Sequence, residues 1–204
     1  MDRSSHWENV YHTKSATEVS WFEAEPTTSL SLIQSAAPGG GRIIDVGGGA
    51  ALLVDRLVAA GTWEVTVLDV SATALELAQA RLQEQANRVQ WIQADITKVK
   101  QLGTYDIWHD RAVFQFLTSL DDRAAYLDQL SRALRPGGHV ILGTFALDGP
   151  EQCSGLPVCR YDARSLAATL GEDYSLVQNL VQSHPTPAGK TQLFTYCVFQ
   201  KVHK

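Results

Sequence analysis

The chain has 204 residues, 45% of them apolar and 19% charged, enough to bury one sizeable core and too apolar for a disordered segment. With 17 basic against 22 acidic residues the formal net charge is −5, which excludes the basic footprint of a nucleic-acid binder. Three cysteines, Cys153, Cys159 and Cys197, are too few for a disulfide scaffold and point to a reducing compartment. The opening Met1-Asp2-Arg3-Ser4-Ser5-His6 lacks an apolar leader, and no run approaches the ~20 apolar residues of a bilayer span. The expectation is a cytoplasmic protein without membrane or nucleic-acid partners; the oligomeric state is not legible.

An aromatic arm comes first, His6-Trp7-Glu8-Asn9-Val10-Tyr11 and then Ser20-Trp21-Phe22, ending at Ala36-Ala37-Pro38-Gly39-Gly40-Gly41. Arg42–Val46 reads as a short buried strand, and an apolar helix runs from about Ala50 to Ala60, stopped by Gly61. Glu64–Leu68 is the next strand. Ser71 caps a helix whose buried side is Leu75, Leu77, Ala78 and Leu82. Arg88–Gln93 and Tyr105–His109 are the third and fourth strands, followed by a helix over Asp121–Leu134 that Pro136-Gly137-Gly138 ends. His139–Thr144 is a fifth strand, Asp148–Pro157 a long loop, and Asp162–Leu170 a helix stopped by Gly171. Tyr174–Ser183 and Gln192–Val202 form two final strands around Pro185-Thr186-Pro187-Ala188-Gly189. Alternating strands and helices predict one doubly wound α/β domain: a mostly parallel seven-stranded sheet with a terminal antiparallel hairpin. Residues 1–41 form an arm or lid, and 42–204 the α/β core.

Three acids carry the chemistry. Asp45 ends the first strand and runs into Gly47-Gly48-Gly49, a turn that lets backbone N–H groups approach a ligand. A nicotinamide dinucleotide site would want a further glycine where Leu52 stands, and Asp45 would face its phosphates; beside an ammonium group the same carboxylate is favourable. Asp69 follows 24 residues later at the next strand tip, where a carboxylate accepts from both ribose hydroxyls. Alone, it reads equally well as a cap for the Ser71 helix. Asp95 closes the third strand, placed to accept from an adenine amino group with Ile96 as apolar wall. Three acids at three successive strand tips describe a ligand with an amino group, a ribose and an adenine but no phosphate, which is S-adenosylmethionine.

On these residues, with Tyr105-Asp106-Ile107-Trp108 and Leu134-Arg135-Pro136-Gly137-Gly138, the chain resembles the class I S-adenosylmethionine-dependent methyltransferases from Arg42 to the terminal hairpin. The family often has another glycine soon after Gly49; here Ala50 and Ala51 stand instead. The resemblance implies that Gly47 and Gly49 approach the methionine part, Asp69 with the adjoining Val70 the ribose side, and Asp95 with Ile96 the adenine. The arm resembles that of thiopurine methyltransferases and elongation-factor lysine methyltransferases, which implies that Trp7, Tyr11 and Trp21 line the cofactor pocket. Aromatic faces attract a sulfonium cation, and a closed lid excludes water. The competing reading is an amphipathic helix packing its rings on the core.

The acceptor side follows the fourth strand, at His109-Asp110-Arg111. Asp110 is the first candidate for a base or orienting group and His109 the second. Arg111 either holds an acidic acceptor or pairs with Asp110, while Gln115 and Phe116 read as helix and core. Cys153 and Cys159, with five residues between them, and His184 make a loose set for zinc, and ordinary loop and core cysteines are the favoured reading. No resident metal is expected. The function expected is methyl transfer to a small-molecule acceptor, with a protein lysine as the alternative acceptor and a catalytically silent cofactor-binding module as a further one.

Overall fold

The computed structural model describes residues 2–202. Its frame is a seven-stranded sheet built from β1 (Gly41–Val46), β2 (Trp63–Asp69), β3 (Val89–Gln93), β4 (Tyr105–Arg111), β5 (Leu134–Phe145), β8 (Tyr174–Pro185) and β9 (Thr191–Lys201). The spatial order is β3-β2-β1-β4-β5-β9-β8. The first five strands pair in parallel, and β9 runs antiparallel to both β5 and β8. The terminal hairpin thus extends the sheet at its far edge. Two short strands, β6 (Gln152–Cys153) and β7 (Leu156–Pro157), pair inside the long loop after β5.

Helices α2 (Thr27–Ala36), α3 (Leu53–Ala60) and α4 (Ala72–Leu82) cover one face, where Leu32, Ile33, Leu57 and Leu75 pack on Ile43, Val67 and Ile107. Helices α5 (Leu120–Ala133) and α6 (Ala163–Leu170) cover the other, with Tyr126, Leu130 and Leu166 on Ile44, Trp108 and Val140. The central strands are buried on both faces, which explains their near-continuous apolar runs. Helix starts follow the side chains available: Ser71 accepts from the Ala74 N–H, Ser119 from Asp122, and Asp162 from Ser165. The buried Lys201 ammonium donates to the Ser131 and Leu134 carbonyls, tying β9 to the end of α5.

The structure departs from expectation in several places; Leu77, expected on the buried side of α4, is exposed. Helix α3 begins at Leu53 rather than Ala50, because the glycine turn needs the intervening residues to leave β1. The arm is not only an aromatic strap. It holds α1 (Arg3–Thr13), a run of turns, and then α2, whose buried side closes one face of the core. Strand β5 starts at Leu134, so the Pro136-Gly137-Gly138 stretch already lies in the sheet. Strand β4 runs two residues beyond His109, and that extension decides where its polar residues point. Among the described residues no helix is long and apolar enough to cross a membrane.

Candidate active site

Strand order reverses between β1 and β4, and the carboxyl ends of β1, β2, β3 and β4 open there into a crevice, where open α/β sheets bind ligands. The cavity there is open to solvent on one side. Of the expected cofactor residues, Trp7, Tyr11, Trp21, Gly47, Asp69, Val70, Asp95 and Ile96 all line it. Asp45 lines an adjoining cavity that shares Tyr11, Trp21, Gly47 and Arg111 with the first. Gly49 sits beneath: a side-chain carbon there would lie 2.7 Å from the Asp69 carboxylate and 3.3 Å from the Tyr11 hydroxyl.

The glycine turn depends on missing side chains. Gly47 adopts φ +72°, and a Cβ on it would come within 2.0 Å of Val113 Cγ2. Its N–H donates to the Leu68 carbonyl at 2.7 Å, which draws the tips of β1 and β2 together. Asp69 is buried and accepts from the Ser71 N–H at 2.9 Å, so it does help cap α4 as well as face the cavity. Burial pushes its carboxyl up to about 7; the Ser71 N–H works against this and the nearby Asp45 carboxylate adds to it. Asp95 accepts from Thr97 N–H and hydroxyl at 2.9 and 2.7 Å through one oxygen, while the other faces Arg3 at 3.3 Å.

The arm is fastened at both ends of the cavity. Glu8 on α1 accepts from the Ala72 and Thr73 N–H groups and the Ser71 hydroxyl, placing a carboxylate on the amino end of α4. Burial alone would raise its pKa, but the donors from Thr73, Ala72 and Ser71 outweigh that and lower it. Arg3 reaches Asp95, Thr97 and Asp122. Between these anchors Trp7 meets Trp21 and Phe116 edge-on, with centroids 5.5 and 5.1 Å apart, and Tyr11 stands 6.3 Å from Trp21. The arm's rings therefore line the cavity as well as pack together.

The three residues expected to act on the acceptor separate, because successive side chains on a strand point to opposite faces. Asp110 does not line either cavity. It points away from the cavity, is fully buried, and accepts from the Val113 and Phe114 N–H groups and the Tyr126 hydroxyl. Burial raises its carboxyl to about 6, with Tyr126, Val113 and Phe114 opposing the rise. It holds the β4 turn in place and does not pair with Arg111. His109 points the other way and is 2% exposed, its two ring nitrogens 2.7 Å from Asp45 Oδ1 and 2.9 Å from Ser29 Oγ. Arg111 does reach the cavity. It donates to the Tyr196 hydroxyl and the Trp21 carbonyl, both at 2.8 Å, pairs with Glu23 at 3.1 Å, and lies 4.6 Å over the Phe194 ring.

Several contributors escaped the sequence reading. Arg3, Glu8, Glu23 and Ser29 act through contacts that no local pattern announces. Phe116, expected in the core, lines the cavity, as does Ala112, a non-glycine residue at φ +74° held by its N–H bond to the Gly143 carbonyl. Gln115 is buried and accepts from the Phe145 N–H at 2.7 Å. Cys153 lines the cavity with its thiol pushed up by burial. Cys153 and His184 both meet Ser20, the thiol 4.0 Å from its hydroxyl and the imidazole 2.8 Å from its carbonyl, while Cys159 lies apart, 3.7 Å from Arg123.

A family profile described as a methyltransferase domain matches residues 43–138, the stretch from β1 into the start of β5 that builds this crevice. The chain is 31% identical over 160 residues to the ubiquinone/menaquinone biosynthesis C-methyltransferase UbiE of Coxiella burnetii, covering 72% of this chain and 61% of that one. It is 30% identical over 118 residues to a ubiquinone biosynthesis O-methyltransferase of Ralstonia nicotianae, covering 56% and 48%. The chain thus spans about three-fifths or less of the length of these curated relatives. The N-methyltransferase NodS of Bradyrhizobium japonicum, solved with S-adenosyl-L-homocysteine, shares the fold, with a TM-score of 0.74 at 18% identity over 99% of this chain and 100% of that one. Strand order, glycine turn and matched sequence agree: residues 43–138 match the methyltransferase-domain family, on a fold shared with NodS.

Proposed function

We propose that the crevice binds S-adenosylmethionine and that the protein transfers its methyl group to a nucleophile on a small molecule. The observation that carries this reading is the pair of adjoining cavities, with Asp69, Asp95 and Ile96 around the first, Asp45 beside the glycine turn in the second, and aromatic rings over both. The side-chain-free turn fits a ligand lying against backbone. Asp69 takes the ribose hydroxyls, and Asp95 and Ile96 the adenine. Gly47, Gly49 and Asp45 take the amino-acid end, and Val70 adds apolar surface beside Asp69. The bound cofactor supplies an activated methyl group on a sulfonium centre.

The remaining work belongs to the chain's own residues. Trp7, Tyr11 and Trp21 offer ring faces to a cation, each worth about 0.5–2 kcal/mol, and close the cavity against water. Phe116, Leu117 and Cys153 shape the acceptor side. Of the three residues on β4, Asp110 is turned into the core and His109 is held between Asp45 and Ser29. Arg111 is a paired cation that fixes the Trp21 carbonyl and thereby the arm. Catalysis then rests on holding acceptor and methyl in line in a dry cavity. No β4 side chain accepts the acceptor's proton. The residues 1–41 act as a lid on the 42–204 core.

Relatives named for quinone biosynthesis favour a small-molecule acceptor over a protein lysine. The acidic net charge speaks against nucleic acid, and the free cysteines suit the cytoplasm. A thermal-shift titration tests the cofactor: S-adenosylhomocysteine should raise the melting temperature and NAD should not, and the reverse would remove this reading. Labelled cofactor incubated with cell extract and split by filtration tests the acceptor. Label in the small-molecule fraction supports the proposal; label confined to protein points to lysine; cofactor binding without turnover points to a silent module.

A further inference from the structure

Asp45 and His109 are register partners across the parallel β1–β4 pair, so their side chains project side by side from the same face of the sheet. His109 Nδ1 lies 2.7 Å from Asp45 Oδ1, and its Nε2 lies 2.9 Å from the hydroxyl of Ser29 on α2. All three are nearly sealed from solvent, at 3%, 2% and 1% exposure. An ionised carboxylate only accepts, so Nδ1 carries the proton toward Asp45. Nε2 then accepts from Ser29 when the ring is neutral and donates to it when the ring is charged, because a hydroxyl serves both roles. The chain of contacts therefore keeps its shape in either protonation state.

The other oxygen, Oδ2, has no hydrogen-bond partner among the described residues. It hangs over the glycine turn, where a Cβ on Gly48 would come within 2.5 Å of it. Asp45 lines the cavity beside this turn, so Oδ2 is the carboxylate oxygen left to meet a ligand there. Arg111, which lines the same cavity, pairs with Glu23 and donates to Tyr196 and the Trp21 carbonyl. The cavity beside Asp45 is lined by Tyr11, Trp21, Gly47, Gly48 and Arg111 and continues into the adenosine end.

We propose that His109 and Ser29 are positioning residues, a relay that clamps Oδ1 of Asp45 so that Oδ2 is aimed at a primary ammonium group on the amino-acid end of the ligand. The proposal rests on the cofactor reading above and adds to it a source of discrimination. A thioether nucleoside that lacks the amino acid gains nothing from the relay, whereas one that carries it does. His109 and Ser29 line the same cavity as Asp45, and His109 acts there through its bond to the Asp45 carboxylate.

Calorimetric affinities for S-adenosylhomocysteine and for 5′-methylthioadenosine, which lacks the amino-acid end, separate positioning from general folding. His109→Phe should weaken the first about 10-fold or more, the range expected for losing a hydrogen bond to a charged group, and leave the second within twofold. Ser29→Ala should shift in the same direction by about 3-fold. Asp45→Asn should lose at least as much, and His109→Phe added to Asp45→Asn should cost nothing further, because both act on one contact. Equal losses for the two ligands, or additive losses in the double variant, would overturn the relay. Should His109→Phe not fold, Ser29→Ala decides: an unchanged ratio of the two affinities overturns it. A wild-type protein that binds neither nucleoside fails the cofactor reading itself, and the relay falls with it.

Discussion

Replacing Asp69 by asparagine should make the ligand-free protein more stable at pH 8 while crippling its affinity for the cofactor. In the folded state burial and the neighbouring Asp45 carboxylate lift the Asp69 carboxyl from 3.8 to about 7. The folded protein therefore binds a proton more readily than the unfolded chain between those values, and stability falls as pH rises from about 4 to about 7. At 1.36 kcal/mol per pH unit that interval is worth about 4 kcal/mol, and structural relaxation reduces it to about 1–3 kcal/mol. Asparagine carries no charge, and its carbonyl keeps the acceptor for the Ser71 N–H. Urea denaturation of both proteins at pH 8, 6.5 and 5 measures the effect. The asparagine variant should unfold at higher urea at pH 8, and its advantage should shrink by more than half by pH 5. Cofactor binding should move the opposite way. An ionised carboxylate accepting two ribose hydroxyls contributes about 1.5–3 kcal/mol per bond, so affinity for S-adenosylhomocysteine should drop about 100-fold. In the wild type the same affinity should rise with pH through about 7, because binding favours the ionised form. An asparagine variant that is less stable at pH 8, or whose gain is equal at pH 5, would refute the view that this acid is kept at a cost to folding.

Gly47→Ala should destabilise the fold by about 2 kcal/mol or more and abolish cofactor binding, since φ is +72° and the new carbon lands 2.0 Å from Val113. Gly61→Ala shares that φ but meets nothing within 4 Å, so about 1 kcal/mol in chemical denaturation is expected there, with binding intact. Tyr126→Phe removes one of the donors to Asp110 and leaves the Trp108 indole N–H, 2.8 Å from that hydroxyl, without its acceptor. The expected cost is about 2–4 kcal/mol, larger at pH 8 than at pH 5, because the donors hold down a carboxyl that burial has raised to about 6. Turnover per folded molecule should be unchanged; a large fall in kcat at full folding would return Asp110 to the chemistry.

The alternation of apolar strands with capped helices, the glycines after Asp45, and the acids at the ends of β1, β2 and β3 are local patterns, and each was legible along the chain. They are local because strand tips, turns and caps involve residues within one another's reach in sequence. The face to which each β4 side chain turned was not legible. Two more residues of strand sent Asp110 into α5 and His109 and Arg111 toward the arm, and strand length is set by pairing with β1 and β5 rather than by β4's own residues. The same holds for Glu8 on the start of α4, Arg3 on Asp95, Glu23 on Arg111 and Ser29 on His109, which join residues 63 to 92 positions apart. Composition and periodicity settle which ligand chemistry the strand tips offer. Only the packed structure decides which charged groups remain free to use it, because an ion pair or a buried hydrogen bond needs partners that folding alone brings within 3 Å.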